Sequence, residues 1–231
     1  PRMPSTMFKG KSNLGYRGDA ILQMDWTVGE IMKQLESLGI AKNTMIIFSS
    51  DNGPVLDDGY EDEAVSKLNG HTPAGVLRGG KYSTFEGGTR VPLIVSWPSK
   101  TKPAVSDAMV SQIDFMSSFS KMLNIKPKDI EITDSEDMLN VLLGKSTKGR
   151  TVLVEQGINS LAIRKDHWKY IEPNKGPTIN VLTNTELGNN PLPQLYDLQN
   201  DLGEKNNLAA QKPEITNELA SLLQKIKAQK D

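Results

Sequence analysis

The chain has 231 residues, 24% of them charged and 37% hydrophobic, with 27 Lys and Arg against 28 Asp and Glu for a net charge of −1. That balance gives no electrostatic case for nucleic acid or an anionic membrane surface, and no apolar run approaches the roughly 18 residues a membrane span needs. Without a single cysteine, disulfides and thiol catalysis are excluded, and the length allows one domain or one and a half.

The opening Pro1-Arg2-Met3-Pro4-Ser5-Thr6-Met7-Phe8 is irregular, carries no signal-peptide pattern and reads as the middle of a protein. Over residues 16–38 an apolar stripe at Ile21, Val28, Met32, Leu35 and Leu38 predicts a helix stopped by Gly39. Asp25 stands on that stripe, where a carboxylate must find partners. It is expected as a structural hydrogen-bond anchor or, failing that, as a support for a site. Residues 44–48, Thr-Met-Ile-Ile-Phe, predict a fully buried strand of a parallel sheet. The strand ends in the turn cluster Ser49-Ser50-Asp51-Asn52-Gly53-Pro54. Asp51 and Asn52 thus follow the carboxyl end of a strand, where open α/β sheets bind ligands. Both offer hard oxygens suited to Ca²⁺ or Mg²⁺. An Asx-turn that merely closes the strand accounts for them equally well.

The acidic run Asp57, Asp58, Glu61, Asp62 and Glu63 is expected to be a solvated loop face, because no spacing in it matches a calcium-binding loop. Residues 70–88 are glycine-rich, which permits close backbone approach to a ligand. Residues 93–96 predict another buried strand, closed by Pro98. A helix is predicted over 112–123 with Ile113, Met116, Phe119 and Leu123 on its inner face, and a short one over 134–143 capped by Ser135. From Thr151 the pattern changes. Short strands are expected at 151–156, 160–164, 167–172 and 194–198, with loop over 174–192. Pro213 then opens a helix that buries Ile215, Leu219, Leu222 and Ile226. Strands followed by a helix make an α+β unit, so the chain is divided into 1–146 and 147–231.

The succession Ser50-Asp51-Asn52-Gly53, Leu77-Arg78-Gly79-Gly80-Lys81 and Phe85-Glu86-Gly87-Gly88-Thr89-Arg90-Val91-Pro92 resembles the sulfatase family of alkaline-phosphatase-like ester hydrolases. Ile163-Arg164-Lys165-Asp166-His167-Trp168-Lys169-Tyr170-Ile171, Leu195-Tyr196-Asp197-Leu198 and Glu204-Lys205-Asn206-Asn207-Leu208 extend the likeness over essentially the whole chain. Leu202-Gly203 departs from it, since the family often has Pro after the Asp. The resemblance implies an α/β fold: the C-terminal part of an alkaline-phosphatase-like sandwich, then a small α+β subdomain with an antiparallel sheet and a terminal helix. It implies Asp51 and Asn52 as metal ligands, usually for Ca²⁺, and Lys81 as a contact to the sulfate group and nucleophile. Without it, Lys81 is a surface lysine after a Gly-Gly turn. His71 is expected in the same pocket, against substrate or leaving group. Arg78 either touches an anionic substrate or pairs with a nearby acid. Glu86 and Arg90 pair to hold the loop, and His167 is structural. A sulfated carbohydrate or other sulfated small molecule is the implied substrate, and the periplasm or extracellular space the implied location.

Family members build their nucleophile, formylglycine, from a Cys/Ser-x-Pro-x-Arg motif, and no such motif stands in this chain. Asp51 and Asn52 alone also fall short of the about six to eight oxygens Ca²⁺ takes. The expectation is therefore a C-terminal sulfatase portion lacking nucleophile and further ligands, with negligible turnover alone. A sheet edge exposed by such a boundary invites dimerisation. Two rivals stand: a phosphate mono- or diester hydrolase of the same superfamily, and a non-catalytic binding module in which Asp51, Asn52 and Lys81 diverge.

Overall fold

The structure is a computed structural model that describes residues 2–125 and 134–229. Helix α1 spans Gly15–Ser37 and stops where expected, with Gly39 in the left-handed region at φ 71°. Its buried carboxylate is not Asp25, which is exposed, but Asp19. The Asp19 carboxylate accepts the N–H groups of Gly10 and Ser12, each at 2.7 Å, and so ties the incoming loop to the helix. The apolar stripe is not packed either: Ile21, Met32 and Leu38 are 40, 43 and 60% exposed. Instead, Ile21 and Met24 line, with Phe48, an open cleft of about 710 Å³. The acidic loop is less solvated than its charge suggests. Arg2 pairs with Asp58 at 2.8 Å and with the buried Asp62, and it donates to the Val55 and Leu56 carbonyls at 2.6 and 2.8 Å.

Strand β1 (Ile46–Ser49), helix α2 (Glu86–Thr89) and strand β2 (Leu93–Ser96) follow. β1 and β2 pair antiparallel, Phe48 opposite Ile94, as a two-stranded ribbon. β1 was expected to be a fully buried strand of a parallel sheet and β2 another buried strand, and neither is. A ribbon without helices on its faces leaves its apolar run half-covered, and Ile94 is 61% exposed.

Helices α3 (Asp114–Met122) and α4 (Leu139–Leu142) pack together through polar groups rather than the predicted apolar face. Ile113, Met116 and Leu123 are exposed, whereas Asp114 and Ser118 are buried. Asp114 pairs with Arg150 at 3.0 Å, and Ser118 Oγ accepts the Met138 N–H at 2.9 Å. Ser135 does not cap α4. Its Oγ accepts the Ser117 N–H at 3.0 Å, fastening the segment before α4 onto α3.

The remaining elements are β3 (Val152–Gln156), β4 (Leu161–Lys165), β5 (Trp168–Ile171), β6 (Ile179–Asn180), β7 (Thr185–Glu186), β8 (Gln194–Asp197) and α5 (Pro213–Ala228). β3-β4-β5-β8 form a four-stranded sheet, antiparallel throughout. β6 and β7 make a second small ribbon within the stretch expected to be loop. Alternation along the strands gives the sheet two faces. Ile163, Tyr170 and Leu195 pack with Leu219 and Leu223 of α5. Ala162, Ile171, Tyr196 and Leu198 pack on the other side against Phe85, whose ring meets Tyr196 edge-on at 6.0 Å. Packing therefore runs directly across the 146/147 position, and the two-part division stays a proposal. No helix among the described residues is long and apolar enough to cross a membrane.

Candidate functional site

The turn after β1 is fixed at both ends. Ser49 Oγ donates to the Pro92 carbonyl at 2.8 Å, and Gln112 Nε2 donates to Ser49 Oγ at 2.9 Å and to the Ser50 carbonyl at 2.7 Å. Asn52 Nδ2 donates to the Gly53 carbonyl at 2.9 Å. Beneath the turn, Gly53 N–H donates to Gly88 O and Lys81 N–H to Pro54 O, both at 2.9 Å.

The glycines exist for these contacts. A Cβ on Gly53 would lie 1.7 Å from Gly87 O, one on Gly80 2.6 Å from Pro54 O, and one on Gly87 2.3 Å from Arg78 O. The close approach read from the glycine-rich stretch is thus backbone on backbone, and it builds the floor on which Asp51, Asn52 and Lys81 are placed. Tyr82, next to Lys81, sits at φ 81°, a strained conformation for a bulky residue. Its carbonyl accepts the Ile158 N–H at 3.0 Å and so joins the Lys81 loop to the end of β3.

Asp51, Asn52 and Lys81 line one cleft of about 1190 Å³, which Arg90 borders from just after α2 and Glu155 and Arg164 border from the four-stranded sheet. Lys81 has no ion-pair partner among the described residues and lies 5.4 Å from the Tyr82 ring centre. The expectation that His71 and Arg78 share this pocket is not met. His71 is exposed, outside the cleft, with Nδ1 3.2 Å from Arg17 Nη1. Arg78 follows the other branch of its reading. Its Nε donates to Glu186 at 2.8 Å and its Nη1 to the Glu204 carbonyl at 2.6 Å, over the Phe85 ring at 4.1 Å. That pairing raises its pKa further and leaves little of the guanidinium for a ligand.

Among the described residues, no group of three or more His, Cys, Asp or Glu side chains could hold a metal ion. The exposed Asp51 carboxylate and the Asn52 amide oxygen fit a hard cation in kind, and supply a small part of a shell of about six to eight oxygens.

Next to the cleft lies a buried charge cluster that was only partly visible in the sequence. Glu86 pairs with Arg90 at 2.5 Å as expected, but its other oxygen is 2.9 Å from Lys169 Nζ, and both side chains are fully buried. Lys169 also meets Glu155 at 2.9 Å and Glu204 at 3.6 Å. Burial pushes the Glu86 carboxyl up, yet Lys169, Arg164 and Arg90 outweigh it and hold the group at about 2. Burial pushes the Lys169 ammonium down, and Glu155, Glu86 and Glu204 outweigh that, holding it above its ordinary value. Burial lifts Glu204 to about 7, against the pull of Lys169 and the Glu86 N–H. The available signal was parity: Lys169 shares its strand face with Ile171, which faces inward.

The family model described as Sulfatase matches residues 1–125 of the chain. The chain is 54% identical to an N-acetylgalactosamine-6-O-sulfatase of Bacteroides thetaiotaomicron, over 98% of its own length and 45% of that protein's. It is 30% identical to an N-acetylgalactosamine-6-sulfatase of Mus musculus, over 89% and 41%. A solved structure from Bacteroides thetaiotaomicron, described for the metabolism of multiple glycosaminoglycans, matches with a TM-score of 0.96 at 53% identity, over 99% of this chain and 48% of that one. The chain thus spans less than half the length of these relatives.

Proposed function

The chain belongs to the sulfatase family, and from that premise we propose that it forms one wall of a site that hydrolyses sulfate esters of a carbohydrate. The observation that carries this reading is the shared cleft of Asp51, Asn52 and Lys81. Sulfate-ester cleavage gathers negative charge on the non-bridging oxygens and the departing oxygen, so fixed positive charge aimed there lowers the barrier. Lys81 offers a compact ammonium with three donors, matched to an anionic group rather than to a planar one. Its backbone is held to Pro54 and its neighbour to β3, so the charge is placed before the ester arrives. Asp51 and Asn52 would hold Ca²⁺, or Mg²⁺ in its place, and when bound such an ion supplies Lewis acidity and a template for the sulfate oxygens. A formylglycine nucleophile belongs to the same proposal, as do further metal ligands and an extracytoplasmic location. All three rest on likeness to the family.

The 6-sulfated N-acetylgalactosamine named for two relatives is the first substrate to try. The test is a chimera in which this chain replaces the matching segment of the Bacteroides thetaiotaomicron relative. The chimera should release sulfate in a metal-dependent manner, and Lys81→Ala should lower kcat by about 10²–10³-fold, the usual cost of one electrostatic donor. An unchanged rate in Lys81→Ala would reject the role given to that lysine. The isolated chain should show negligible hydrolysis of a chromogenic aryl sulfate, and metal-dependent turnover above an Asp51→Ala control would contradict that.

Self-association through the open edges of the β1–β2 ribbon belongs to the same reading. Light scattering should give a mass above that of the monomer that rises with concentration, and a strictly monomeric mass would exclude it.

A further inference from the structure

Glu204 is a buried carboxyl that the chemistry above does not use. It is fully buried, and its backbone sits at φ 51°, in the left-handed region that L side chains rarely adopt. Such a conformation persists where the surrounding structure holds the residue in place. Its Oε2 accepts the backbone N–H of Glu86 at 2.6 Å, while Oε1 has no hydrogen-bond partner among the described residues and lies 3.6 Å from Lys169 Nζ. The Glu86 N–H opens α2. Two residues on, Gly88 O receives the N–H of Gly53, beside Asp51 and Asn52. An unbroken path of short hydrogen bonds therefore joins the buried Glu204 carboxyl to the turn that faces the cleft.

We propose that Glu204 is a positioning residue for the Asp51–Asn52–Gly53 turn: its carboxyl sets where α2 begins, and α2 sets where the turn sits. The inference takes from the preceding section only that this turn belongs to the site. The titratable and charged groups around Glu204 are Glu86 on α2, Glu155 on β3, Lys169 on β5 and Tyr196 on β8. Arg78, bound to Glu186 of β7, holds the Glu204 carbonyl. Burial, with Glu86 and Glu155 alongside, lifts the Glu204 carboxyl to about 7 against the pull of Lys169. A carboxylate accepts an N–H more strongly than a neutral carboxyl does, so the pull on α2 changes across the neutral range.

The test follows amide proton and nitrogen resonances of the isotope-labelled 231-residue chain between about pH 5.5 and 8.5, the range that brackets this titration. Glu86 and Gly53 should move on one common curve with a midpoint at about 7. Glu204→Gln keeps an oxygen for the Glu86 N–H and removes the titration, so both residues should lose the curve while the spectrum stays dispersed. A Gly53 curve that survives in Glu204→Gln would belong to another group and overturns the proposal. So does a curve at Glu86 with none at Gly53, because the coupling then stops at α2. An inactive chimera in which these curves remain would count against the hydrolase reading and leave this inference standing.

Discussion

Lys169→Met should cost the chain about 3–5 kcal/mol at neutral pH, the usual penalty for removing one partner of a buried ion pair. Met fills most of the volume, so the loss reports charge rather than a cavity. What remains are Glu86, Glu155 and Glu204, all buried with their shared cation gone. The penalty should depend on pH, with a sign that can be worked out. In the native cluster Glu86 is held at about 2, below its unfolded value. Its stabilisation is therefore present above the unfolded pKa and lost as pH falls through about 2. Lys169 is raised, so its contribution is complete below its unfolded pKa and unaffected between pH 5 and 8. Glu204 runs the other way. A carboxyl raised to about 7 costs stability as pH rises from its unfolded value to that point. Without the ammonium, the carboxylates take up protons on mild acidification, so the gap between variant and wild type should be widest near pH 8 and shrink toward pH 5. Urea unfolding at both pH values measures it. A loss below about 1 kcal/mol, in the range of a surface pair, would show that Lys169 is dispensable. An equal loss at both pH values would show that packing, not charge, had been removed.

Gly53→Ala is the second large effect. The new Cβ would meet Gly87 O at 1.7 Å, the Gly87 carbonyl carbon at 2.7 Å and Gly88 Cα at 3.0 Å, all of them backbone. No side chain can swing aside, so the turn or α2 must move, at a cost of about 1–3 kcal/mol. Activity should suffer more than stability, because displacement of a reacting site by about 1 Å can cost about 10²-fold in rate. In the chimera the substitution should therefore lower kcat by about two orders of magnitude while the protein stays folded. Gly29→Ala is the matched control. Nothing lies within 4 Å of the Cβ position in α1, and the change should stabilise by about 0.5–1 kcal/mol. A Gly53→Ala chimera that retained wild-type kcat would mean that the floor of the cleft does not set the positions of Asp51 and Lys81.

The parts of this molecule that were legible in the sequence are those set by neighbours along the chain. Gly39 ends α1, Pro213 opens α5, and the strands at 152, 161, 168 and 194 appear within a residue or two of where β-branched and aromatic residues cluster. The resemblance to sulfatases put Asp51, Asn52 and Lys81 in one pocket, and all three line one cleft. Periodicity tells which side of a helix is apolar and not what covers it, which is why Ile21 and Met32 of α1 and Met116 of α3 were expected inside and lie outside. Nor could any local pattern choose Glu186, 108 residues away, as the partner of Arg78. The same holds for Glu204, which lies 118 residues from the N–H it accepts. His71 was placed beside Lys81 by proximity in sequence, and a loop with left-handed Gly70, Gly75 and Gly79 turns too often for that to hold.

That 118-residue separation also bears on synthesis. Glu204 leaves the ribosome 118 residues after the Glu86 N–H that it accepts, and Lys169 follows Glu86 by 83 residues. A nascent polypeptide can pair Ile46 with Ser96 early, but α2 gains its anchors only when the last strand and the segment beyond it have emerged. The pocket floor thus cannot set before then. A translation product halted before Glu204 would display the Asp51 turn without the means to hold it still.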